Sequence, residues 1–156
     1  MPNTRLEWLT EGDLQADALG DLRTTNNGLS LYVIDDELSN LESVAAAMAA
    51  NAPSTANVDY ILLNIEEVHL LNIKSVWNPG DTPSEEVNAS HIDLVELTAQ
   101  KLLALAQVLQ YKGKTGRIRE PRITNLILKD VQLGKINREL IKIQSTSFWG
   151  KLRNLP

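Results

Sequence analysis

Residues 29–65 read LSLYVIDDELSNLESVAAAMAANAPSTANVDYILLNI, and how this stretch is taken governs the rest of the architecture. Its two ends, 29–34 and 58–65, are short apolar runs rich in β-branched and aromatic residues, a composition that suits a buried, pleated strand. Between them, residues 39–51 predict a helix. Ser39 and Glu42 have the spacing of a capping box, and Leu41, Val44, Ala45 and Met48 share one face. The many alanines let this helix approach a sheet closely. Strand, helix, strand is most simply a right-handed parallel crossover, and near-continuous apolar strands fit a sheet covered on both faces. The expected fold is α/β, with two or three mostly parallel strands around a β-α-β core. The direction of 58–65 relative to 29–34 stays open at this level.

On the N-terminal side, residues 10–23 predict a short helix with Leu14, Ala18, Leu19 and Leu22 in one stripe, and TTNNG at 24–28 is a turn. On the other side, 66–71 supplies one helical turn, 73–77 a weaker strand and 78–81 a loop. Thr82, Pro83 and Glu85 then make a helix start. Residues 92–112 are apolar except for a stripe of Asp93, Glu96, Gln100, Gln107 and Tyr111, so one long buried helix is expected over 82–112, stopped by Gly113. Residues 112–122 read as a basic connector, 123–131 as either strand or helix, and 134–144 as an amphipathic basic helix. The last segment, 145–156, carries Phe148 and Trp149 and is too short for a core of its own. One globular domain, 1–156, is expected, with 112–156 a basic extension that packs on the acidic 1–100 part or on a partner.

Charge is divided along the chain. Residues 1–100 hold three bases against seventeen acids, residues 101–156 twelve bases against three acids, and the net −5 conceals both. Such an asymmetry concerns association, because opposite fields attract each other or attract partners. At 156 residues there is length for a genuine core, and 43% apolar with 22% charged residues is ordinary globular composition. Without cysteine there is no disulfide, thiolate metal site or cysteine nucleophile, and the composition suits a reducing, cytoplasmic setting. No signal peptide is expected from the opening residues, no run reaches the ~20 apolar residues of a membrane span, and no membrane contact is expected.

Chemistry-bearing residues are few. Asp35, Asp36 and Glu37 follow the first strand, Glu66 and Glu67 the second. On parallel strands both clusters would share the carboxyl edge where open sheets place ligands, and Asp35, Asp36, Glu66 and Glu67 would suit Mg²⁺. The alternative is that these acids cap the following helices. Residues 31–40 (LYVIDDELSN) resemble the first strand and acidic doublet of response-regulator receiver domains, and residues 59–65 (DYILLNI) resemble their phosphoacceptor strand. The resemblance implies a phosphorylation switch with Mg²⁺ on Asp35 and Asp36. Asn64, however, stands where the phosphoacceptor aspartate would be, and too few residues separate Asp36 from Asn64 for the intervening strand and helix. A degenerate receiver-like domain is what it leaves.

His69 and His91 lack the paired spacing of a zinc site, the GKT at 113–115 lacks the P-loop glycine and strand, and no G-x-S-x-G turn occurs. Lys112, Lys114, Arg117, Arg119 and Arg122 form a basic cluster that, with Lys135, Arg138, Lys142, Lys151 and Arg153, offers phosphate contacts, though stacking aromatics are sparse. Phe148 and Trp149 either dock on their own domain or meet a partner. The leading expectation is a non-enzymatic interaction or regulatory module with a protein partner or a second copy and no cofactor; an immunity or antitoxin role fits its size and charge. A metal-dependent phosphoryl or phosphodiester enzyme with Mg²⁺, and nucleic-acid binding by the basic third, are the alternatives.

Overall fold

A computed structural model of the chain describes residue 14 and residues 17–155. Chain order is α1 (Asp17–Asp21), β1 (Leu29–Tyr32), α2 (Leu41–Ala50), β2 (Val58–Leu62), α3 (Ile65–Leu70), β3 (Lys74–Trp77), α4 (Glu85–Asn88), β4 (His91–Val95), α5 (Ala99–Lys112), β5 (Lys114–Ile118), α6 (Glu120–Gln132) and α7 (Thr146–Arg153). The first part of the expected helix at 10–23 lies outside the described residues; α1 is its remainder.

The expected parallel β-α-β core is not formed. The described strands make two small antiparallel sheets, one of three strands in the order β1-β4-β3 and one pairing β2 with β5. In the larger sheet Lys74 lies opposite Val95, Ser75 opposite Leu94 and Trp77 opposite Ile92. β1 and β2 therefore sit in different sheets, and the helix between them is not a crossover. Their partners come from segments whose sequence reads as something else.

The first such segment is 91–95. A single helix over 82–112 does not exist, because Ser84 caps the one-turn α4 and the chain then extends into β4. His-Ile-Asp-Leu-Val is a five-residue stretch with β-branched Ile92 and Val95, strand composition that the helical spacing of its acids masked. Glu96 then adopts a left-handed φ of 56°, which ends the strand, and the Thr98 hydroxyl accepts the Lys101 N–H to open α5. The second is 114–118, expected as a connector but built as β5. Its Gly116 lies so close to the Tyr60 ring of β2 that no Cβ fits between them.

The chain divides into two compact units, each assembled from three stretches of sequence. The first takes the chain up to residue 31, 59–77 and 92–116. Its core gathers Leu29, Val68, Ile73, Leu94, Leu105 and Leu109. The second takes 32–58, 78–91 and 117 onward. Here the alanine face of α2 packs on α6, with Ala45, Ala46, Ala49 and Ala50 against Ile123, Leu126 and Ile127. The 123–131 segment is thus helical. It starts at Glu120 with Pro121 in the first turn, where a proline removes no hydrogen bond.

Residues 134–144 do not form the expected amphipathic helix. Gly134 takes φ 71°, open only to glycine without strain, and terminates α6. The chain then runs on with a single 3-10 turn at Arg138–Leu140. The backbone N–H groups of Asn137, Lys142 and Gln144 donate to the carbonyls of Pro83, Ala50 and Pro53. Ile136, Ile141 and Ile143 are buried at spacings of five and two, which no helix could bury on one face. α7 follows, capped by Ser145, and delivers Phe148 and Leu152 into the same core.

Candidate functional site

The shared carboxyl edge expected for the strand-end acids required β1 and β2 in one parallel sheet, and the two strands are in different sheets. Among the described residues no group of three or more histidine, aspartate or glutamate side chains is placed to hold a metal ion. Asp35 accepts the N–H of Ser39 at 2.7 Å and, in a very short contact, its hydroxyl. These bonds favour the ionised form and hold the Asp35 carboxyl below the usual carboxylate range. Asn40, rather than Ser39, is the α2 N-cap, and its side chain is spent on Asp35 N–H and the Val33 carbonyl. Asp36 is exposed beside this turn.

Asn64, the residue standing in place of a phosphoacceptor, caps α3 by accepting the Glu66 N–H at 2.9 Å. Glu66 and Glu67 occupy the first turn of α3, where the helix dipole favours anions. Both Glu67 oxygens accept from Lys112 Nζ at 2.8 Å.

Lys112 and Arg122 of the connector are thus held internally. Lys112 pairs with Glu67 within the first unit, and Arg122 grips Glu42 within the second, Nη2 to Oε2 at 2.8 Å and Nε to Oε1 at 3.1 Å. The grip raises the Arg122 guanidinium above its ordinary value. Lys114, Arg117 and Arg119 are exposed on and just after β5. Phe148 is buried, while the half-buried Trp149 meets it edge-to-face at 5.9 Å and donates its indole N–H to the Ile143 carbonyl at 2.7 Å. The terminal aromatics are therefore core of the second unit, with Lys151 and Arg153 on its surface.

His69 Nε2 lies 3.4 Å from Ser75 Oγ on an exposed edge. His91 is buried, 2.5 Å from the Asn78 carbonyl and edge-on to Tyr32 at 5.1 Å. It stands beside a network in which the Asn88 side chain binds Thr82 through N–H, hydroxyl and carbonyl. These contacts fix the 78–88 loop. A surface depression of about 340 Å³ in the first unit is lined by Arg23, Thr25, Gly28, Ser30, Asp93 and Val95. Its Asp93 accepts the Ser30 hydroxyl at 2.9 Å.

Large apolar side chains stand outward instead. In the first unit Leu70 is 79% exposed, Trp77 62% and Tyr111 81%. On α5, Gln100, Leu103, Gln107 and Tyr111 recur at steps of three, four and four, forming an exposed stripe without charge. The Glu67–Lys112 pair ties the helix bearing Leu70 to the end of α5 bearing Tyr111. In the second unit Leu133 and Leu140 are 58% and 54% exposed. The sequence held the clue to both: Gly134 marks where helical spacing must lapse, and Gln100 and Gln107 mark the outer face of α5.

One buried titratable group has a readable consequence. Asp130 is 6% exposed, and burial pushes its carboxyl above the ordinary range; Lys135 and Lys129 pull it down, while Glu86 and Glu42 push it up. A carboxyl raised by folding is protonated in both states at low pH and costs nothing there. As pH rises through the raised value, the folded state loses stability relative to the unfolded one. Asp130→Asn should therefore raise the melting temperature more at pH 7 than at pH 4. Equal shifts at the two pH values would disprove the assignment.

No family model, curated protein or solved structure matches this chain. No helix among the described residues is long and apolar enough to cross a membrane.

Proposed function

We propose that this chain is a non-enzymatic interaction or regulatory module that acts by binding another protein. The observation that carries this reading is the uncharged stripe of α5, with Leu103 and Tyr111 outward and Leu70 tied beside its end. Leu103 and Tyr111, eight residues apart, lie on one exposed helix face with Gln100 and Gln107, and such a face is a form in which helices dock to protein grooves. Apolar groups clustered on an ordered surface, rather than scattered singly, mark contact sites. The partners of three acids fit the same reading: Asp35 closes a turn, and Glu67 and Glu42 pair with bases.

The test is capture from native-host lysate with wild-type bait and with a Leu103→Glu/Tyr111→Glu double variant. A stoichiometric protein retained by wild type after nuclease treatment, and weakened at least tenfold by the variant, is expected. An empty wild-type bait, or partners that vanish with nuclease, would overturn the proposal, the latter in favour of nucleic acid. Millimolar Mg²⁺ should leave the melting temperature unchanged; a clear rise would return weight to Asp35, Asp36, Glu66 and Glu67.

A further inference from the structure

We propose that residues 133–142 are a docking strap for an acidic amphipathic segment of a partner protein. The inference rests on the interaction-module reading and adds to it a second surface and the chemistry of what binds there. The strap is fixed to the second unit on its inner side. Ile136 and Ile141 are buried, Asn137 N–H donates to the Pro83 carbonyl at 2.7 Å, and Lys142 N–H donates to the Ala50 carbonyl at 2.9 Å. Asn137 also accepts the Glu139 N–H at 3.0 Å, which sets the 3-10 turn between the two anchors.

With inward groups and backbone so committed, Leu133, Lys135, Arg138, Leu140 and Lys142 are left on the surface, with Glu139 the one acid among them. Behind the start of the strap lies buried Asp130, near Glu86 and Glu42, and Lys129 and Lys135 act upon it. Arg138 and Lys142 therefore carry most of the outward positive charge. Beyond residue 130 the sequence holds five bases and this single acid, so the surface attracts anions.

The leucines decide which anion. Nucleic acid would find phosphate partners here but no aromatic platform for its bases. A lipid surface would gain little, because even a whole myristoyl chain anchors only marginally. A segment presenting apolar side chains on one side and carboxylates beside them satisfies both halves of the strap. Because the strap is already ordered, little conformational entropy is lost on docking.

The test uses the full-length chain and a synthetic amphipathic peptide of about 20 residues, with leucines on one helical face and glutamates on the rest. Amide NMR shifts confined to residues 133–142 are expected, with affinity that falls as salt rises. Leu133→Ser/Leu140→Ser and Arg138→Glu/Lys142→Glu should each weaken binding about tenfold, equivalent to about 1.4 kcal/mol. Leu103→Ser should leave it unchanged. Shifts located elsewhere, unaffected strap variants, or tighter binding of a single-stranded oligonucleotide or phosphatidylserine vesicles would overturn the strap. A lysate partner held equally by wild type and by Arg138→Glu/Lys142→Glu would also overturn it while leaving the module reading intact. An empty bait beside strap-localised peptide binding would remove the module reading alone.

Discussion

Replacing Ile127 with alanine is expected to cost about 2–5 kcal/mol, the range for truncating a fully buried aliphatic side chain in a packed core. Ile127 is 0% exposed and sits in the cluster that α6 forms with the alanine face of α2. Alanine faces cannot extend to fill the space, so the cavity persists. At roughly 2–4 °C per kcal/mol for a chain of this size, the melting temperature should drop by about 4–20 °C. Ile127→Val should cost only about 0.5–1.5 kcal/mol. Urea denaturation of both variants measures this, and a loss below about 1 kcal/mol for the alanine variant would mean α6 is not seated on α2 as described.

The second large effect is at Gly113. A Cβ there would overlap the backbone carbonyl of Leu109 and come within 2.7 Å of Ile61 Cγ2. The Leu109 carbonyl accepts the Gly113 N–H that closes α5, so relief requires unwinding the last turn. Gly113→Ala should destabilise by about 2 kcal/mol or more, comparable with overpacking a rigid site. Gly150, inside α7 with nothing near its missing Cβ, is the control with opposite sign. Gly150→Ala should stabilise by about 0.5–1 kcal/mol through reduced backbone entropy of the unfolded chain. If both substitutions moved stability in the same direction, steric crowding at Gly113 would not be its cause.

The same two positions illustrate what was legible in advance. Gly113 was readable as the end of a helix from its place after an apolar run, yet the reason lies in Leu109 and Ile61, the latter far away in sequence. The helix α2 is legible in its sequence, but only part of its buried face is: Val44 and Ala45 are buried as expected, whereas Met48 is 46% exposed and Ala46, Ala47, Ala49 and Ala50 turn inward instead. Ile123–Val131 could not be assigned, since a short apolar run suits strand and helix alike until its packing partner is known. For the candidate surfaces the position was reversed. Phe148 and Trp149 were visible as aromatics, but only the Ile143 carbonyl and the core around Phe148 show that they belong to this chain's own interior.

Local chemistry alone determined which segments are apolar and where charge changes sign, and it accounts for the helix ends. Caps at Ser84, Thr98 and Ser145, and the stop at Gly134, are local because each depends on hydrogen bonds or φ angles within a few residues. Strand pairing was decided only by the tertiary structure. β1 found β4, and β2 found β5, because strand partners are selected by non-local packing and backbone hydrogen bonds that no short window of sequence contains. That choice put the strands preceding the two acid clusters in separate sheets, while Glu67 and Glu42 pair with bases distant in sequence and Leu103, Tyr111, Leu133 and Leu140 stay exposed.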